Sequence, residues 1–150
     1  MIIFPPQEFI TWTDALTQFP WPIQLNDFPP YAEKLGWKPT SLPNEFTVFP
    51  NNDYEFTTLS SSEKGDVYKL FLYMAVNDLK NDEGAAELND HLVACVAAGK
   101  KAWGEPFLLE AGDDPTATWR FPGDMFTQVT GGSRAVLFRF FTPQGQWYFA

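Results

Sequence analysis

The sequence predicts an α+β domain, a mainly antiparallel sheet with one long helix packed on one face and short helices at the N-terminus. Three observations carry this prediction. Alternating apolar and polar runs are separated by short turns rich in Gly, Pro, Asn and Asp, as hairpin strands require. One stretch, Asp82–Trp103, repeats apolar residues at helical spacing. The turns between the last strands are too short for parallel crossovers, so those strands are neighbours. The chain has 150 residues, the size of one domain spanning 1–150, and its 45 % hydrophobic and 17 % aromatic content can build a core without staples.

Prolines, phenylalanines and tryptophans crowd the first fifty residues, where apolar anchors interleave with the prolines. A first short helix is predicted over about Thr13–Phe19, capped by Thr11 or Thr13 and stopped before Pro20. A second begins near Pro29-Pro30 and ends at Gly36, with Tyr31 and Leu35 on one face. Strands follow at Glu45–Phe49, with turn chemistry at Pro50-Asn51-Asn52-Asp53, and at Tyr54–Leu59. Val67–Val76 reads as a long central strand. Its face of Tyr68, Leu70, Leu72, Met74 and Val76 is apolar apart from one hydroxyl and is expected to carry the helix.

In the long helix, Leu88, Leu92, Cys95, Val96 and Trp103 make the buried stripe. Asp82, Glu83 and Glu87 stand near its start and Lys100 and Lys101 near its end, as the macrodipole prefers. Gly104 and Pro106 stop it. Further strands are predicted at Ala117–Phe121, Met125–Thr130 and Arg134–Thr142, with a last short one at Gln146–Phe149. Val67–Val76 and Arg134–Thr142 are apolar on both faces and are expected at the centre of the sheet.

Charge narrows the function. Ten Lys and Arg stand against 19 Asp and Glu, a formal charge of −9. That balance repels phosphate backbones and anionic lipid, so neither nucleic acid nor a membrane is an expected partner; a basic protein is. A single cysteine and a single histidine exclude an intramolecular disulfide and the usual zinc patterns, and no cofactor is expected. The N-terminus lacks a basic flank and a long apolar run, so a cytoplasmic protein is expected.

His91 and Cys95 lie four apart on one helix flank, the spacing of a thiolate–imidazole pair. Cys95 sits within the apolar stripe and near carboxylates, which favours a core thiol over a nucleophile. Acidic residues cluster as Asp78, Asp82, Glu83, Glu87 and Asp90, and again as Glu105, Glu110, Asp113 and Asp114. A glycosidase needs two carboxylates opposed across a cleft, and calcium needs alternating ligands around a glycine turn; neither cluster has that pattern. A solvated acidic face, or a docking surface for a basic partner, remains. Ser60-Ser61-Ser62 has no nucleophile elbow, and Gly131-Gly132-Ser133-Arg134 precedes a strand rather than a helix, as a turn does.

Phe19-Pro20-Trp21, then Asp27 leading to Tyr31-Ala32-Glu33-Lys34-Leu35-Gly36-Trp37, then Ala102-Trp103-Gly104-Glu105-Pro106 and Thr118-Trp119-Arg120 follow one another along the chain. In this order the sequence resembles small acidic bacterial immunity proteins, encoded beside secreted polymorphic toxins. The resemblance implies a protein that binds a cognate toxin in the producing cell and neutralises it by contact, without catalytic residues. It implies a partner with a basic cleft, met by Asp78, Asp82, Glu83, Glu87 and Asp90 or by the loop Glu110–Asp114. The alternatives are a small carboxylate-dependent hydrolase and a non-catalytic protein- or ligand-binding scaffold.

Overall fold

A computed structural model describes residues 2–48, 56–78 and 80–149. Among them nine strands form one sheet: β1 (Ile2–Ile3), β2 (Lys38–Pro39), β3 (Glu45–Thr47), β4 (Phe56–Ser61), β5 (Val67–Val76), β6 (Leu108–Glu110), β7 (Thr116–Phe121), β8 (Met125–Thr130) and β9 (Ala135–Phe141). The helices are α1 (Gln7–Leu16), α2 (Pro29–Lys34) and α3 (Asp82–Trp103). The strand order is β2-β3-β4-β5-β9-β8-β7-β6, with β1 beside β5, and every pairing is antiparallel. The predicted α+β class is the observed one. The predicted turn Pro50–Asp53 lies outside the described residues, as do Phe49, Tyr54 and Glu55 of the two strands that flank it.

The two strands predicted central, β5 and β9, pair with each other in the middle of the sheet. Leu70 faces Phe140 and Leu72 faces Phe138, and all four are buried under the helices. The expected helix-bearing face of β5 holds from Leu70 to Met74. At its start the register shifts opposite Ser60 and Ser61, so Val67 enters the core in place of Tyr68, which packs against Trp147 and Tyr148. A bulge between Tyr73 and Ala75 then reverses the alternation, so Ala75 turns into the core and Val76 leaves it.

The first helix begins six residues earlier than expected. Pro5 and Pro6 preset the backbone for its first turn, and the stripe Phe9, Trp12 and Leu16 runs ahead of any threonine cap. Thr13, expected as a cap, is instead buried and shares a 3.0 Å hydrogen bond with Thr127 of β8; Thr11 donates back to the Gln7 carbonyl at 3.2 Å. α2 ends as predicted, with Gly36 at φ +78° just beyond it. α3 has the predicted bounds; the Asn81 side chain accepts the Gly84 N–H at 2.8 Å as its cap.

The final predicted strand, Gln146–Phe149, is a 3-10 helix over Pro143–Phe149. Both flanks of β9 are already taken by β5 and β8, so the chain leaving β9 has no ladder to join. It coils back instead, bonding the Thr142 hydroxyl to the Val67 carbonyl at 2.8 Å and stacking Tyr148 near Tyr68. Two short edge strands, β2 and β6, carry too few residues to show alternation and were not foreseen.

α1 and α3 cover one face of the sheet. Phe9, Trp12, Trp103, Trp119 and Phe138 interlock there edge to face and tilted, with centroids 5.2–6.3 Å apart among these and Phe4. On the opposite face the 3-10 segment Pro143–Phe149 covers one end, with Phe149 stacked on Phe126 at 4.1 Å and Tyr148 against Phe141 at 4.9 Å; no helix among the described residues covers the rest. By register this face presents Lys69, Phe71 and Tyr73 from β5, Leu137, Arg139 and Phe141 from β9, Gln128 and Thr130 from β8, and Leu108 and Glu110 from β6. No helix among the described residues is long and apolar enough to cross a membrane.

Candidate functional site

Asn77 and Asn81 set the geometry around the start of α3. The buried Asn77 amide donates to the carbonyls of Asn81 (3.1 Å) and Ser133 (3.3 Å), and its oxygen accepts the Lys80 N–H at 3.0 Å. One side chain therefore ties the end of β5, the cap of α3 and the 131–134 turn together. Next to it, the Gly131 N–H donates to the Pro115 carbonyl at 2.9 Å, which fixes the loop after β6 against the same turn.

This arrangement gathers part of the predicted acidic set. Asp82 borders a hollow of about 280 Å³ with Arg134. Asp113 borders one of about 240 Å³ between α3 and the 131–133 turn. Glu110 and Asp114 border a shallow groove of about 540 Å³ that runs from that turn onto the open sheet face, where Arg134 and Arg139 also lie. Asp114 lies close to Gly132: a Cβ there would stand 3.2 Å from its carboxylate. Asp82, Glu110, Asp113 and Asp114 thus ring one turn from three different elements, and all are exposed.

The others do not join them. At about 100° per residue, Glu87 stands about 140° round the helix from Asp82, and Glu83 shares its flank. Asp90 points away from the sheet on the outer side of α3, and Asp78 is exposed just beyond β5. The sequence clustering on the helix start therefore splits into two flanks, and only one meets the loop Glu110–Asp114.

Two features escaped the sequence reading. Phe107, Leu108 and Leu109 are 52 %, 40 % and 65 % exposed, an apolar run that leads directly into the acidic loop. Its signal was present as three apolar residues between Pro106 and Glu110, but no alternation marked it. Lys69 and Arg139 are diagonal neighbours across the β5–β9 ladder, about 7–8 Å apart at the backbone. They border a second groove of about 410 Å³ together with Gln128 and Tyr148. Arg139 donates to the Thr130 hydroxyl at 3.2 Å and Lys69 lies over the Tyr148 ring at 5.4 Å; neither makes an ion pair among the described residues.

His91 and Cys95 are both buried, with Sγ and Nε2 3.6 Å apart. Burial pushes the Cys95 thiol up to about 12 and the His91 imidazole below its ordinary value. A neutral thiol against a neutral imidazole is core packing, as expected from the sequence.

Comparison with solved structures finds similarity to a DUF4309 family protein, YjgB, from Bacillus subtilis. The identity is 9 % and the TM-score 0.41, over 69 % of this chain and 67 % of that one. Among curated proteins none matches the sequence. A family described as of unknown function, DUF6301, matches residues 7–142. That match spans α1 through β9 and so takes in the helices, the sheet core and the acidic turn alike: the chain belongs to the DUF6301 family.

Proposed function

We infer that this protein acts by contact, as an immunity protein of the cytoplasm that binds a basic cleft of a cognate toxin and occludes it. The observation that carries the reading is the exposed convergence of Asp82, Glu110, Asp113 and Asp114 round the 131–134 turn, beside the exposed apolar run Phe107–Leu109. An apolar centre with a charged rim is the composition of a protein-docking patch. The net charge of −9 steers a basic partner toward it and speeds encounter. The carboxylates stand exposed around a turn rather than opposed across a closed cleft, which suits docking better than general acid–base hydrolysis.

Co-expression with the toxin domain encoded by a neighbouring reading frame tests this. Growth rescue by the native chain, reduced by Asp113→Lys with Asp114→Lys, is the expected result. Rescue that survives those reversals unchanged removes this patch, and purified protein that turns over a metabolite removes the reading.

A second reading, a ligand-binding scaffold, is favoured by one observation: Lys69 and Arg139, which make no ion pair among the described residues, stand beside aromatic rings in the 410 Å³ groove. An organic anion that binds there and is released by Arg139→Gln would select it.

A further inference from the structure

We propose that the toxin-facing contact includes strand addition at β6: a lysine- or arginine-bearing extended segment of the protein partner pairs with the free edge at Leu108–Glu110. This rests on the reading of the acidic patch and adds to it the backbone geometry of the contact.

The strand path from β2 to β6 has two ends, and they are built differently. β2 consists of Lys38 and Pro39; proline donates no hydrogen bond and lysine resists being covered, the two devices that blunt an edge. β6 has neither. It pairs with β7 alone, Leu108 to Thr118, Leu109 to Ala117 and Glu110 to Thr116, and no other described segment bonds its outer side. Alternate N–H and C=O groups of β6 therefore point outward from the sheet. Its three residues are all exposed, and two are leucines. An apolar, unguarded edge is a template for a further strand.

Charge selects the occupant. Glu105, Glu110, Asp113 and Asp114 lie in or close to β6 along the chain. Among the described residues Lys100 pairs with Glu105 at 3.8 Å and Arg120 with Asp124 at 2.8 Å, whereas Glu110, Asp113 and Asp114 make no ion pair. A second copy added antiparallel about Leu109 would bring two such acidic segments together, which like-charge repulsion opposes. A basic segment meets them with opposite charge. The pleat sets its pattern: Leu108 and Glu110 face the open side and Leu109 the helix side, so apolar residues flanked by cations fit best.

The test uses the full chain and a short, end-blocked peptide of alternating lysine and valine, with a control of equal charge whose central valine is proline. Binding is read by calorimetry, and amide exchange is followed at residues 108–110. The expected result is binding that the proline weakens by about tenfold or more, with slowed exchange at 108–110. Leu109→Lys, which keeps the backbone and places a guard charge on the edge, is expected to weaken binding similarly while circular dichroism stays native. Equal affinity for the two peptides, or unchanged exchange at 108–110, overturns strand addition and leaves the acidic contact standing. Equal binding by Glu110→Lys/Asp113→Lys overturns the acidic contact itself. No binding by the native chain, or a self-dimer that Leu109→Lys dissociates, overturns the proposal.

Discussion

Gly99 of α3 lies flat against the indole of Trp119 on β7, so close that a Cβ on Gly99 would stand 2.6 Å from Cη2 and nearer still to Cζ2. The ring cannot retreat: it is fully enclosed, it packs on Phe9 and Trp103, and its Nε1 donates to the Gly104 carbonyl at 3.0 Å. α3 therefore sits lower on the sheet than any side chain at residue 99 would permit. In an exposed helix, Gly→Ala gains about 1 kcal/mol. Here Gly99→Ala is expected to lose about 1–3 kcal/mol through overpacking, measured as a lower denaturant midpoint with m unchanged. A stabilised variant would contradict the close approach.

Asn77 is the fastening of the acidic turn, and its three hydrogen bonds reach two separate segments, Lys80-Asn81 and Ser133. Asn77→Ala is expected to cost about 1–3 kcal/mol, since it leaves part-buried backbone groups without their partner. Asn77→Asp should cost at least as much, because a carboxylate cannot donate to the Asn81 and Ser133 carbonyls. In urea melts both midpoints should fall. In amide-exchange measurements the first turn of α3 and residues 131–134 should lose protection together; independent behaviour of the two segments would refute the coupling.

The buried imidazole of His91 gives the fold an acid limit. Its folded pKa is depressed by burial below the ordinary value of 6.5. Between that value and the folded pKa the unfolded chain binds a proton that the folded chain does not. Stability contributed by His91 is therefore complete above about pH 6.5 and declines as pH falls through the folded pKa. His91→Leu should flatten the pH dependence of stability below 6.5 relative to the native chain; parallel curves would show that the imidazole titrates alike in both states.

Cys95 supplies the complementary test at high pH. With its thiol raised to about 12, the folded chain should resist iodoacetamide at pH 8–9 and react on unfolding in urea. Rapid labelling of the native chain would place the thiol at the surface.

For the acidic turn, the measurement is the association rate with the basic partner against ionic strength. Asp113→Lys with Asp114→Lys should slow association and flatten its salt dependence, whereas Glu83→Lys with Glu87→Lys, on the other flank of α3, should change both less. Equal effects from the two pairs would mean that only net charge matters.

Periodicity made long elements legible. Twenty-two residues of helical spacing fixed α3, and the two-faced apolar character of Val67–Val76 and Arg134–Thr142 put β5 and β9 at the centre. Short or irregular features were not legible. The β5 bulge that moves Ala75 inward, the three-residue β6 and the 3-10 close at Pro143–Phe149 each depend on which neighbouring positions are already occupied. The same holds for α1, where packing of Phe9 and Trp12 outweighed the capping preference of Thr11 and Thr13.

The acidic residues show the division most plainly. By itself the sequence determined that the chain carries −9, that its carboxylates fall in two groups, and that one group opens a helix. Tertiary structure alone decided which of them share a surface. Helical rotation turned Glu83 and Glu87 away from Asp82, and the antiparallel return of β6 to β9 brought Glu110, Asp113 and Asp114 beside it. Charge is a property of residue type and is additive along a chain; proximity between distant residues is a property of strand order and register, which only the folded sheet sets.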